Sequence, residues 1–185
     1  MTRAFLVRHG TTDWNESGRL QGNTEVGLND RGRTEARAVA RSLADERVTR
    51  VVTSPLSRAH ETVTTIAERV DAPLSVDADW RERSFGSLEG RPASEALATN
   101  PEFHPKSEAF DPDAAGDGES ARAVVERVRA RWPPADGTVI VTHETPLRIA
   151  VALAEGTEPI SALGALSFAP GDILEITGSA WSMRR

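Results

Sequence analysis

A chain of 185 residues with 38% hydrophobic side chains is long enough for one domain with a proper core and too apolar for disorder. Its formal charge of −6 argues against a general nucleic-acid binder, and no apolar run approaches the roughly 20 residues of a membrane-spanning helix. Cysteine is absent, which removes disulfides, thiol nucleophiles and thiolate metal sites; with no secretory signal pattern at its start, the expectation is a cytoplasmic protein.

In chain order, residues 4–7 form a short apolar run that reads as a buried strand, broken by Gly10 just after Arg8 and His9. The string Arg8-His9-Gly10-Thr11-Thr12, with Asn15 beyond it, delivers an arginine and a histidine to a strand end, where open α/β sheets place ligands. Gly10 is expected to let the chain turn sharply and bring backbone amides close to an anion. A polar loop over 17–29 follows. Asn29 then caps a helix running to about Asp45, with Ala36, Val39, Ala40 and Leu43 on one face. A second strand at Val51, Val52 and Thr53 ends at Ser54-Pro55, and the next helix carries Ala59, Val63, Ile66, Ala67 and Val70 as its apolar stripe. Residues 73–76 make a weaker third strand. From 77 to 118 periodicity fades and proline recurs at 92, 101, 105 and 112, leaving one short helix over 92–99. The preferred reading of this stretch is a cover over the active site; the other is a plain surface excursion.

Regularity returns at Glu119, with a helix presenting Ala121, Val124, Val125, Val128 and Trp132 and stopped by Pro133 and Pro134. Residues 138–142 are the clearest strand of the chain. They lead to His143 and a helix with Thr145 as its expected N-cap, Pro146 in the first turn and Gly156 past its end. Residues 163–168 and 172–177, around Pro170-Gly171, read as a closing hairpin. The alternation predicts an α/β fold: a single three-layer domain over 1–185, its mostly parallel sheet covered by helices on both faces and finished by a C-terminal hairpin.

Chemistry concentrates in four strings. Arginine offers a planar fork of donors that matches a phosphate, and a neutral histidine is a competent nucleophile, so Arg8-His9 is the first. Thr53-Ser54-Pro55-Leu56-Ser57-Arg58-Ala59 puts Arg58 on the first turn of a helix; taken alone, a surface arginine accounts for it. Trp80-Arg81-Glu82-Arg83-Ser84-Phe85-Gly86-Ser87-Leu88-Glu89-Gly90 and Thr142-His143 complete the set. Together, and in this order, they resemble the signatures of the histidine phosphatase superfamily, the phosphoglycerate mutase-like family, across essentially the whole chain. The resemblance implies that Arg8, Asn15, Arg58 and His143 bind the phosphoryl group. It also implies that His9 is the nucleophile, Glu82 the proton donor and His143 a second catalytic histidine. Many relatives carry a small residue after that second histidine. Here it is Glu144, whose carboxylate is expected to point away from a bound dianion.

The function this implies is a metal-independent phosphomonoesterase, a phosphoric monoester hydrolase of the histidine acid phosphatase type. It would hydrolyse a small phosphorylated metabolite through phospho-His9. The alternatives are a cofactor-dependent phosphoglycerate mutase, whose family members resemble a longer chain, and an inactive binder of phosphorylated ligands, against which the intact set argues. No cofactor, metal, nucleic acid or membrane is expected, and the sequence specifies no oligomeric state. A metal site made from His9, His143, His60 or His104 with nearby acids matches no usual zinc spacing. His60 reads as structural or surface, and His104 as exposed. Trp14 and Phe85 line either the pocket or the core. Arg81, Arg83, Arg91 and Lys106 read first as scattered surface charge and second as an affinity of the cover for anionic substrates.

Overall fold

The computed structural model describes residues 2–184. Its strands are β1 Arg3–Arg8, β2 Arg50–Thr53, β3 Leu74–Val76, β4 Thr138–Thr142, β5 Ile173–Thr177 and β6 Ala180–Arg184. Its α-helices are α1 Asp13–Glu16, α2 Asp30–Ser42, α3 Ser57–Val70, α4 Ala93–Thr99, α5 Ala121–Arg129, α6 Glu144–Glu155 and α7 Pro159–Ala162. One sheet of order β3-β2-β4-β1-β5-β6 organises them. The β1–β4, β4–β2 and β2–β3 ladders are parallel, while β1–β5 and β5–β6 are antiparallel.

Every residue of β4 is buried, as is the apolar stretch of β1, because helices cover the sheet on both faces. Side chains alternate between the layers. Leu6, Ile140 and Leu174 meet Val124, Val128, Leu147 and Val151 of α5 and α6. Phe5, Val7, Val139 and Val141 meet Val39 and Ala40 of α2, Leu43 at its C-terminal cap, and Val63 and Ile66 of α3. This is the three-layer α/β architecture the alternation predicts. Asn29 caps α2 as expected, accepting from the Gly32 N–H at 3.0 Å.

Two local expectations fail. The C-terminal hairpin pairs 173–177 with 180–184, not 163–168 with 172–177. Residues 163–168 hold no strand: Leu163 and Phe168 turn into the core beside α6, and β6 is a short, largely exposed edge strand whose apolar residues are interrupted by Ser182 and Arg184. The N-cap of α6 is His143, not Thr145. Thr145 is already helical, its orphan N–H is taken by the Glu82 carboxylate at 3.3 Å, and Pro146 has no N–H to satisfy. No helix among the described residues is long and apolar enough to cross a membrane.

Candidate active site

The chain leaves β1 toward α2 on one face and leaves β4 toward α6 on the other. The carboxyl ends of these adjacent parallel strands therefore border the crevice where the crossover direction reverses. Register does the rest. Arg8 pairs with Thr142, the His9 N–H donates to the Thr142 carbonyl at 3.0 Å, and the rings of His9 and His143 stand 5.0 Å apart. Arg58, 1% exposed, is the second residue of α3 and follows β2, the other neighbour of β4. Thr142 Oγ1 donates to the Trp80 carbonyl at 2.7 Å, tying the segment that carries Glu82 to the same strand end. Four strings spread over 135 positions of sequence thus meet in one place.

The neutral ring of His9 is held in one tautomer. Its Nδ1 lies 2.8 Å from the Gly10 carbonyl, which can only accept, so the proton sits on Nδ1 and the lone pair on Nε2. Burial above all, then the charges of Arg58 and Arg8, push its pKa well below the ordinary histidine value, and the bond to Gly10 only partly opposes this. His143 is lowered in the same way by burial and by Arg58, His9 and Arg8. Its Nε2 lies 2.8 Å from Ser54 Oγ, and its Nδ1 is buried with no partner among the described residues.

The arginines are fixed by carbonyls. Arg58 donates from Nη1 to Thr24 O at 3.1 Å and from Nη2 to Gly22 O at 2.7 Å, and its Nε is buried and unpartnered. Burial pushes its pKa down to about 10, with Glu82 and Glu25 opposing, so it remains a cation at neutral pH. Arg8 donates to the Phe168 carbonyl and pairs with Glu144 Oε2 at 3.0 Å. Glu144 therefore does not point away. Its other oxygen takes Arg148 and, at 3.1 Å, Ser167 Oγ, so the carboxylate lines the cavity as a counter-charge between two arginines. Pairing with both removes the repulsion that a bare carboxylate would exert on an anion.

Above the histidines lies a cavity of about 310 Å³, lined among others by Arg8, His9, Asn15, Arg58, Glu82 and Arg83. Glu82 Oε1 accepts from the Arg83 N–H at 2.8 Å and Oε2 from the Thr145 N–H, which fixes the carboxyl at the mouth of α6. Asn15 Oδ1 accepts from the N–H and hydroxyl of Thr12, both at 3.0 Å, closing a capping box on α1. Trp14 and Phe85 both line the cavity, His60 is exposed, and His104 is half-buried away from it. Among Arg81, Arg83, Arg91 and Lys106, Arg83 is no surface charge: it is 2% exposed and lines the cavity. Among the described residues no group of three or more His, Cys, Asp or Glu side chains is arranged to hold a metal ion.

Two supports escape the sequence, and Gly10 has a role the sequence does not reveal. Glu89 accepts from Asn23 N, Phe85 N, Ser84 Oγ and Thr24 Oγ1, clamping the loop whose carbonyls hold Arg58. Arg127 of α5 grips the Asp79 and Glu82 carbonyls at 2.6 and 3.1 Å while paired with Glu119. Gly10 has a packing role besides the one expected. A Cβ there would stand 2.5 Å from the Gly32 carbonyl oxygen, so glycine permits α2 to approach the strand end. Neither Glu89 nor Arg127 has a local pattern to betray it; only Glu89's place in the string 80–90 was a signal.

The fold has solved counterparts and the sequence has named relatives. A mycobacterial hydrolase superposes with a TM-score of 0.83, covering 100% of this chain and 98% of that one at 23% identity, which establishes a shared fold. Phosphoglycerate mutase-like protein 4 of Arabidopsis thaliana is 38% identical over 153 residues, 77% of this chain and 66% of that protein. A metal-independent phosphoserine phosphatase of the same plant is 35% identical over 158 residues, 80% of this chain and 66% of that protein. The chain thus spans just under two thirds of these relatives' length. The profile of the histidine phosphatase superfamily (branch 1) matches residues 4–185, and the chain belongs to that family.

Proposed function

We propose that the chain is a metal-independent phosphomonoesterase that works through phospho-His9. One observation carries the reading: His9 is locked by Gly10 with its Nε2 lone pair free, beside two arginines and a second buried histidine. In this reading Arg8 and Arg58 hold the phosphoryl oxygens, together with the Asn15 Nδ2 that the capping box leaves over. With Ser54 donating to Nε2 of His143, the unpartnered Nδ1 carries a proton for a further phosphoryl oxygen. Nε2 of His9 forms its bond to phosphorus as the bond to the leaving oxygen breaks, and the Gly10 carbonyl stabilises the positive ring. Glu82 gives its proton to the departing alkoxide. It then takes one from the water that attacks phospho-His9, releasing inorganic phosphate and regenerating both groups.

The segment 77–118 acts as the cover of this site, supplying Glu82, Phe85, Leu97 and Phe103 to the cavity wall. The arginines provide the positive charge that a metal ion would otherwise bring, and the phosphoserine phosphatase relative is itself named as metal-independent. Release of phosphate from p-nitrophenyl phosphate that persists in EDTA supports the proposal; activity lost on chelation and restored by one metal refutes the metal-free mechanism. The mutase alternative is separated by 3-phosphoglycerate with and without 2,3-bisphosphoglycerate. Net phosphate release favours the hydrolase, and conversion to 2-phosphoglycerate that requires the bisphosphate favours the mutase.

A further inference from the structure

A carboxylate outside the cavity holds the turn that orders His9. Glu35 lies on α2, three residues beyond Gly32. A Cβ at Gly32 would stand 2.0 Å from the Thr11 carbonyl oxygen, so glycine lets the first turn of α2 press against the chain that follows His9. Residues three apart share a helix face, and Glu35 therefore reaches the same chain segment. Its Oε2 accepts the Thr11 N–H at 2.8 Å and its Oε1 the Thr11 hydroxyl at 3.0 Å, while the largely exposed Arg31 donates from Nε to Oε1 at 2.9 Å.

These bonds engage both ends of one peptide group. The Gly10–Thr11 peptide turns its carbonyl to His9 Nδ1, 2.8 Å away, and its N–H to the Glu35 carboxylate. A trans peptide points the two groups in opposite directions, so this planar unit spans the gap between His9 and Glu35 as one rigid link. The preceding peptide is pinned as well: the Gly10 N–H donates to Thr62 Oγ1 at 3.0 Å, and the Gly171 N–H reaches the His9 carbonyl at 3.3 Å. Bonds to an ionised acceptor are stronger than neutral ones, and hydrogen bonds in a chain polarise one another. A carboxylate on the N–H end therefore makes the carbonyl a better acceptor at the other. His9 and Thr11 are 2% and 3% exposed, so water offers this peptide little alternative.

From this geometry we propose that Glu35 is a positioning residue for the nucleophile, acting on His9 through the Gly10–Thr11 peptide. The inference rests on the phosphomonoesterase reading above and adds to it the group that keeps the Nδ1 proton in place. With the carbonyl aimed at Nδ1, the lone pair stays on Nε2. When Nε2 bonds to phosphorus and the leaving oxygen departs with the Glu82 proton, the ring becomes a cation that keeps its Nδ1–H. That charge strengthens the bond to the Gly10 carbonyl, and the polarised peptide extends the stabilisation to Glu35 without moving a proton. Glu35 is not part of the cavity wall, and Arg8 and Arg58 are held by other partners, so phosphate binding does not depend on it.

The test reads the tautomer directly, by nitrogen NMR at neutral pH on protein labelled at its histidine rings, the His9 signals being those lost in His9→Ala. The parent should show a protonated Nδ1 and a bare Nε2. Glu35→Ala should bring both shifts toward the average of the two tautomers and leave inhibition by inorganic phosphate unchanged. It should slow the phenol burst from p-nitrophenyl phosphate by about 10–100-fold, as loss of a hydrogen bond to a charged group does. Glu35→Gln keeps the shape and an acceptor for the Thr11 N–H but drops the charge; it should keep the tautomer and slow the burst by about 5-fold. That variant decides the matter if Glu35→Ala does not fold, because a burst as fast as the parent's overturns the relay. His9 signals that stay in place in Glu35→Ala overturn it too, as does a burst that falls by the same factor as phosphate affinity, the result of a merely structural prop. A tautomer that shifts in Glu35→Ala, in a protein that never phosphorylates His9, upholds the positioning role and overturns the phospho-His9 reading.

Discussion

Glu89→Ala should damage the site without touching it. Burial pushes the Glu89 carboxyl up, but bonds from Thr24, Asn23, Phe85 and Ser84 outweigh burial and hold it below the usual carboxylate range. Alanine strands two backbone donors, Asn23 N–H and Phe85 N–H, each 3.0 Å from Oε1, and two hydroxyls that can turn to water. At ~1–3 kcal/mol for each stranded donor, less where water reaches it, the loss is about 2–4 kcal/mol. For a chain of this length that lowers Tm by roughly 4–16 °C. The loop released by this change carries the Gly22 and Thr24 carbonyls that hold Arg58, so inhibition by inorganic phosphate should weaken as well. The pH dependence has a definite sign. A depressed carboxyl pKa stabilises the fold above the unfolded value and loses that contribution as pH falls through the folded one. The parent should therefore lose more stability than Glu89→Gln between pH 7 and the acid range. Melting curves and phosphate inhibition measured side by side decide the matter. A fall in Tm of less than about 1 °C with phosphate inhibition unchanged would refute the clamp.

Glu82→Gln should slow hydrolysis of an alkyl phosphate by about 10²–10⁴-fold, as loss of a general acid does, and the phenol burst from p-nitrophenyl phosphate by much less; equal slowing of both would remove Glu82 from the leaving-group role. Gly10→Ala should cost about 1–3 kcal/mol, because its Cβ would meet backbone rather than a movable side chain; an unchanged melting temperature would contradict the packing argument. Arg58→Gln removes a charge that lowers the pKa of His9, so the acid limb of kcat/KM should move to higher pH, since the attacking form is the unprotonated ring; an acid limb that stays in place would contradict that assignment.

Much of this was legible because it is local. Runs such as 138–142 announce buried strands by composition alone, and Asn29 announces its helix by cap chemistry. The union of Arg8, His9, Arg58 and His143 was legible through the resemblance of the four strings to the superfamily signatures, and parallel strands that deliver their carboxyl ends to one edge give it a physical basis. What was hidden is long-range. Arg83 looks like surface charge until the Glu119 and Ala114 carbonyls fold over it, and Glu144 looks repulsive until Arg8 and Arg148 flank it. The hairpin partner is hidden because β6 is a short exposed edge strand interrupted by Ser182 and Arg184, whereas 163–168 is apolar for packing beneath α6.

The central claim, a phosphoryl group carried on His9, is tested most directly by trapping it. The Glu82→Gln variant, mixed with p-nitrophenyl phosphate and quenched after the burst, should hold an acid-labile, base-stable phosphoryl group that peptide mass spectrometry assigns to His9, and His9→Ala should hold none. A phosphoryl group found on a serine, threonine or carboxylate, or phenol released in a burst with no phosphorylated enzyme, would contradict the account.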